Sequence, residues 1–212
     1  MDALEYIVNK YSVDLNQEFP IYIDKTREDL ALLFKELGFN TGVEIGVLEG
    51  HYSEVLCQAN PQLKLYSVDA WLYYPVPNNY RLQRHYNQAY EAAKERLAQY
   101  PNNTIIKKWS MDAAKDFEDG SIDFVFIDGD HAFQAITNDI AEWSKKVRTG
   151  GIVSGHDFGR SKYKSWGGVK DVVLAWTNNY DIKPWFVFEP DKYKDNRDSL
   201  ERRDSCWFWV KE

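Results

Sequence analysis

The sequence predicts an α/β fold: an open, mostly parallel sheet of seven strands with an antiparallel last strand and helices on both faces. Three observations predict it. Five short apolar runs, GVEIG, LKLYSVD, TIIKKW, IDFVFID and GIVSG, follow one another with helical or loop-rich sequence between them, the alternation expected of a parallel sheet. Between the last two, Phe133, Ile136, Ile140, Trp143 and Val147 fall at steps of three and four, which gives a helix one apolar face to lay on that sheet. Two aromatic runs, PWFVFE and CWFWVK, close the chain, and the polar segment between them, about residues 190–205, has no helical periodicity. A hairpin connection follows more naturally than a crossover, so the last strand is expected to run antiparallel.

Taken in order, the chain opens with MDALEYIVNKYSVD, which carries acids early and has no long apolar core; neither a signal peptide nor a membrane span is expected. Thr26 followed by Asp29 reads as a capping box that starts the helix EDLALLFKEL, and Gly38 closes it. Residues 1–39 are therefore expected to form an N-terminal helical segment packed on the core, and 40–212 a single globular unit. The five periodic positions from Phe133 to Val147 read as core. After GIVSG a further helix is expected around Val169, Val172, Val173 and Trp176. The sequence has no internal repeat and no low-complexity tract.

A chain of 212 residues with 44% hydrophobic content can bury one sizeable core. Its net charge is −7 with scattered basic residues, so the phosphate-neutralising stripe of a nucleic-acid reader is missing and the short KK and RR pairs read as solvated faces. Cys57 and Cys206 lie far apart with no CxxC pair, which argues against a zinc site or a disulfide framework and fits a reducing, cytoplasmic setting. The expected partner is a small molecule, with no nucleic acid and no membrane; a homodimer is compatible with the sequence.

In an open parallel sheet, ligands sit beyond the carboxyl ends of the strands, near the point where strand order reverses. The first run ends VEIGVLEGHYS, where Gly46 and Gly50 leave room near the backbone and the helix opening with Tyr52 and Ser53 offers unpaired N–H groups to an anion. The second run ends in Asp69, 23 residues after Gly46, where an acid can accept hydrogen bonds from both hydroxyls of a ribose or, equally, cap a helix. Nicotinamide enzymes share that combination, but their pattern is GxGxxG, suited to pyrophosphate. Here it is ExGxxxG: Glu44 places a negative charge in the would-be phosphate region, which a cofactor with cationic groups tolerates far better.

VEIGVLEG, YSVDAW, KKWSMDAA, FVFIDGDH and TGGIVSGHDF, in this order and spacing, resemble the Rossmann-like class I S-adenosylmethionine-dependent methyltransferases. More narrowly they resemble the small O-methyltransferase branch that includes the catechol and caffeoyl-CoA types and the macrocin methyltransferase and cephalosporin-hydroxylase group. The resemblance covers roughly residues 40–160. It implies that Glu44 and Gly46 line the methionine part of S-adenosylmethionine, that Gly50 allows close approach, and that Ser53 bonds the methionine carboxylate. Asp69 would bind the ribose hydroxyls, Ala70 and Trp71 would lie beside the adenosine, and Ser110 and Met111 would border adenine.

The stretch SIDFVFIDGDHAF ends a run of strand formers in polar groups that cost solvation energy unless something uses them. By the same resemblance Asp128 matches the first metal-binding aspartate of the catechol-type enzymes. Their Asp-Asn pair after the fifth strand is replaced here by His156-Asp157. Asp128, His156 and Asp157 would be two carboxylates and one imidazole, acceptable to Mg²⁺ or Mn²⁺ and friendlier than the usual set to iron or zinc. His131 falls where those enzymes keep a basic lysine. Methyl transfer to a hydroxyl requires loss of the hydroxyl proton, and either a metal or a histidine with an ordinary pKa near ~6.5 can arrange it. His131 is the candidate base, Asp128 and His156 the other candidate catalytic groups, with Asp128 also expected beside the cofactor; Asp130 is compatible with the cofactor or with solvent. Trp71, Tyr73, Tyr74, Tyr80 and Tyr86, stiffened by Pro75 and Pro77, read as an acceptor lid or equally as a dimer contact or local packing, and SWGG at 165–168 as a further wall. Three other readings stand beside O-methylation of a sugar or phenol-like hydroxyl: a metal-dependent hydroxylase of the same fold, a non-catalytic cofactor-binding protein, and a nicotinamide dehydrogenase. A nucleic-acid methyltransferase is opposed by the acidic balance.

Overall fold

A computed structural model of the chain describes residues 2–74, 82–159, 168–190 and 205–212. Its sheet holds eight strands: β1 (Ile21–Ile23), β2 (Thr41–Ile45), β3 (Lys64–Asp69), β4 (Asn103–Lys107), β5 (Ile122–Ile127), β6 (Val147–Gly155), β7 (Trp185–Phe188) and β8 (Cys206–Val210). Their order is β1-β7-β8-β6-β5-β2-β3-β4. The expected antiparallel last strand is present: β8 runs antiparallel to both β6 and β7, and every other pairing is parallel. The strand beyond the expected seven is β1, so the N-terminal segment is not purely helical. It adds α1 (Ala3–Tyr11), then an edge strand on β7, then α2 (Arg27–Glu36).

Local chemistry sets these boundaries. Asp2 caps α1 by accepting from the Glu5 N–H at 2.8 Å. Asp29 accepts from the backbone N–H of Thr26 at 2.9 Å, as the capping box requires. Gly38, at φ +71°, lets its own N–H reach the Lys35 carbonyl and that of Phe39 reach Phe34, a Schellman close that a side chain would strain.

The strands alternate their side chains between two apolar layers. On one face Phe124, Phe126, Phe186 and Phe208 meet Ile7 of α1, Leu30, Leu33 and Phe34 of α2, and Tyr52 and Leu56 of α3 (His51–Ala59). On the other, Val43, Ile45, Val125 and Ile127 meet Ile136, Ile140 and Trp143 of α6 (Phe133–Lys146) and Val169, Val172 and Val173 of α7 (Gly168–Asn179). Each fully buried aliphatic or phenyl group contributes roughly 1.5–3 kcal/mol. The expected apolar face of α6 is present with two corrections. Phe133 is 58% exposed, because it opens the helix outside the sheet's shadow, and Val147, though buried, already belongs to β6. A third, smaller cluster joins Val47 and Trp71 to Tyr86, Ala89 and Ala93 of α4 (Gln83–Leu97). Among the described residues, no helix is long and apolar enough to cross a membrane.

Candidate active site

Strand order reverses between β2 and β5, since the chain leaves β2 toward β3 and β4 but leaves β5 toward β6. The crevice beyond those two carboxyl ends is where a ligand belongs. Gly46, at φ +87°, follows β2; a Cβ there would fall 2.1 Å from the Asp128 carbonyl oxygen and 2.7 Å from the Gly129 Cα. The bare position therefore serves first to let the ends of β2 and β5 pass each other. Leu48, Trp71 and Asp157, at φ +49°, +47° and +54°, are non-glycine residues in the left-handed region, each just beyond a strand end. Such strain is held only where the surroundings over-determine it.

Glu44 points into the α3 side of the sheet and is buried. Ser53 of α3 donates its hydroxyl to the Glu44 carboxylate, and Ser53 and Ser67 hydroxyls lie 2.8 Å apart. Because the single Ser53 proton goes to Glu44, Ser67 donates to Ser53, and the Asn103 amide in turn donates to Ser67 at 2.7 Å. Burial pushes the Glu44 pKa up to about 8, against the lowering effect of the Ser53 bond. Ser53, expected at a ligand carboxylate, is buried and engaged with Glu44.

Asp69 accepts backbone N–H bonds from Val47 and Leu48 at 3.0 Å each and from Trp71 at 2.8 Å. Three of about four lone-pair directions are filled, leaving room for one further donor. Ala70 is buried, and Trp71 is wholly so: its indole N–H donates to the Leu48 carbonyl and its ring packs against Tyr90. Trp71 therefore fixes the β2 and β3 exits to each other rather than offering a face to a ligand. Gly50 caps α3, and the space of its missing side chain is taken up by Leu97 and Ala93 of α4.

Ser110 and Met111 open the short α5 (Ser110–Ala113). The Ser110 hydroxyl donates to Asp139 and accepts from the Trp143 indole N–H at 2.8 Å; Met111 is half-buried against the α6 layer. Asp139, whose Oδ2 lies beside Gly129, was not among the expected site residues. Burial raises its pKa to about 7, which the Ser110 bond opposes. Its signal was present in sequence: an acid between Ile136 and Ile140, on the apolar face of a helix.

At the ends of β5 and β6 four side chains converge. His131 Nε2 lies 3.2 Å from Asp157 Oδ2 and 3.7 Å from Asp128 Oδ1, and His156 Nδ1 lies 3.5 Å from Asp157 Oδ1 and 3.7 Å from Asp128 Oδ2. One donor atom each from Asp128, His131 and Asp157 fall within 4.8 Å of one another. The expected metal set had His156 as its imidazole; the tighter set has His131. His131 lies in the turn after β5, where Asp130 accepts from the Ala132 N–H at 3.0 Å. His156 is fixed from behind, its N–H donating to Ile127 and its carbonyl accepting from the Trp207 indole. Its Nε2 is buried with no hydrogen-bond partner among the described residues. Burial disfavours charge on both histidines, but the neighbouring carboxylates outweigh it and raise both pKa values.

Of the aromatic lid residues, Tyr74 packs against Tyr86 and Trp109, and Tyr73 is exposed. Pro75, Pro77 and Tyr80 lie outside the described residues, as do residues 165–167 of SWGG. Gly168 opens α7 against the backbone of His131 and Phe133. Arg27, which the sequence reading did not single out, is carried by α2 to the Tyr52 end of α3.

Residues 43–158 match the family described as methyltransferase domain. No curated protein matches the chain. Several solved structures are similar in fold. An O-methyltransferase from Bacillus cereus in complex with S-adenosylhomocysteine is 16% identical, with 100% of this chain and 91% of that chain covered and a TM-score of 0.61. TomG, an O-methyltransferase from Streptomyces achromogenes involved in tomaymycin synthesis and in complex with S-adenosylmethionine, is also 16% identical, with 100% and 91% covered and a TM-score of 0.60. A proposed rRNA methylase from Clostridium thermocellum is 14% identical, with 89% and 97% covered and a TM-score of 0.62. At these identities the likeness concerns the fold, which carries acceptors of more than one class.

Proposed function

The chain belongs to the methyltransferase-domain family matched over residues 43–158, and from that premise we propose that it is an S-adenosylmethionine-dependent O-methyltransferase acting on a small-molecule hydroxyl. The observation that supports this most is the arrangement across the Gly46–Asp128 contact. A buried carboxylate, Glu44, stands on one side, and the Asp128, His131 and Asp157 group stands on the other. Glu44 suits a cofactor with an ammonium and a sulfonium and opposes a pyrophosphate, and Asp69 suits a ribose hydroxyl. Charge −7 opposes a nucleic-acid acceptor. The two free, buried cysteines fit a reducing, cytoplasmic setting.

In this reading the acceptor oxygen attacks the sulfonium methyl in line, and its proton has to leave as the C–O bond forms. His131 is the group to take it, with Asp157 orienting the ring and stabilising the imidazolium. The raised His131 pKa makes it a stronger base but keeps it protonated at lower pH, so turnover depends on the deprotonated fraction. Two carboxylates and one imidazole within 4.8 Å fit one divalent cation, Mg²⁺ or Mn²⁺ by charge and iron or zinc by the imidazole. Asp128, His131 and Asp157 would hold it. Bound there, such an ion lowers the pKa of a nearby hydroxyl. With His131 engaged in that way, His156 Nδ1, 3.5 Å from Asp157, is the imidazole left to manage the proton.

One other reading keeps support from the same geometry. Two histidines and two carboxylates at one strand edge can also serve a redox metal, as in a hydroxylase of this fold. Incubation with methyl-labelled S-adenosylmethionine and a panel of phenols and sugars separates the two. A labelled methyl ether with S-adenosylhomocysteine released supports the proposal; iron-dependent oxidation without methyl transfer replaces it with the hydroxylase. Tight cofactor binding with no turnover of any kind makes the protein a non-catalytic binder.

A further inference from the structure

The methionine end of S-adenosylmethionine carries an ammonium and a carboxylate, and each needs a partner. Glu44 suits the ammonium. Ser53, the side chain expected at the carboxylate, is buried and donates to Glu44, which leaves the N–H groups at the start of α3 and room for a further, charged partner. The strand that the sequence reading missed supplies another. β1 runs parallel to β7, so the loop after it opens on the same carboxyl edge of the sheet as the crevice, and α2 begins there with Arg27.

Arg27 is held at two points by one residue of α3. Its guanidinium lies over the Tyr52 ring, 5.5 Å from the centroid, and its carbonyl accepts from the Tyr52 hydroxyl at 2.9 Å. Tyr52 adjoins Ser53, which bonds Glu44, so the cation and the buried acid are tied to the same turn of one helix. The positive charge of Arg27 acts on Glu44 and His156 alike. Among the described residues its ion pair is with the adjacent, exposed Glu28 at 3.5 Å, a weak contact made through Nε. The Arg27 side chain is about one-third exposed, at 34%. A planar fork stacked on an aromatic ring is preorganised for bidentate carboxylate recognition.

We propose that Arg27 binds the methionine carboxylate of the cofactor. The inference rests on the S-adenosylmethionine reading and adds to it a residue from outside the region shared with the family.

Calorimetric titration of the full chain tests it with two ligands: S-adenosylhomocysteine, and its decarboxylated analogue, which keeps the amine and lacks only the carboxylate. Arg27→Ala is expected to weaken S-adenosylhomocysteine by on the order of tenfold to a hundredfold. The decarboxylated analogue should stay within about twofold, which also shows that the variant is folded, and Arg27→Lys should recover part of the loss. Arg27→Gln serves as the second variant should alanine disturb α2. Unchanged S-adenosylhomocysteine affinity overturns the proposal, and a rise only in the acceptor's KM would move Arg27 to an acceptor anion. Equal loss for both ligands in all variants would make its role structural. If the wild-type chain binds neither ligand, the cofactor reading itself falls and the assignment falls with it.

Discussion

Ser53 donates its hydroxyl to Glu44 from inside the core, and both residues are buried. A carboxylate closed off from water in this way holds its proton to an unusually high pH unless a cation arrives. Burial raises the Glu44 pKa to about 8 from an ordinary 4.5.

Cofactor binding near neutral pH should therefore expel a proton from Glu44. Calorimetry of S-adenosylhomocysteine at pH 6.5–7, repeated in buffers of different ionisation enthalpy, is expected to show release of about one proton. Glu44→Gln should abolish the release and weaken binding. No buffer dependence in the wild-type chain contradicts the role given to Glu44.

Asp139 makes a claim about stability. Its pKa is raised to about 7 from 3.8 by burial, so the folded state binds the proton more tightly than the unfolded chain does. That stabilisation is fully present below pH ~3.8 and is lost as pH rises through ~7. Asp139→Asn keeps a partner for Ser110 and removes the titration. It should gain on the wild type by on the order of 1–3 kcal/mol at pH 8 relative to pH 5, read by urea unfolding. A pH-independent difference between the two chains counts against the buried carboxyl.

His131→Ala should lower turnover by on the order of 10²-fold or more while cofactor affinity changes by less than about twofold. Cofactor loss instead would place His131 in the cofactor site and remove it as base.

If His131 holds an ion and His156 takes the proton instead, a chelator should inhibit, and Mg²⁺ or Mn²⁺ should restore activity. Asp157→Asn should raise the concentration of ion needed, since it removes one of the two carboxylate charges in the group. Full activity in chelator would show Asp128, His131, His156 and Asp157 to be a metal-free, hydrogen-bonded cluster.

Much of the framework was legible because it repeats. Apolar runs such as GVEIG and IDFVFID announce strands, and Ile136, Ile140 and Trp143 announce a helix face, since each is fixed by burial alone. Asp128 was legible as a polar group at a strand end. β1 was not, because three residues on a sheet edge carry too little periodicity to register. Nor were the partners of the site. Ser53 turning inward to Glu44, Asp139 under Gly129 and His131 joining His156 beside Asp157 all depend on contacts between distant segments. A motif gives the residue types; the packing of α3 and the turn at Asp130 decide which way they face.

The proposed activity requires that the crevice between the ends of β2 and β5 hold S-adenosylmethionine. Titration of the full chain with S-adenosylmethionine and S-adenosylhomocysteine measures this binding. One molecule per chain bound with a Kd well below millimolar is the expected result. No binding of either below millimolar concentration, or tight binding of NADH in their place, would contradict it.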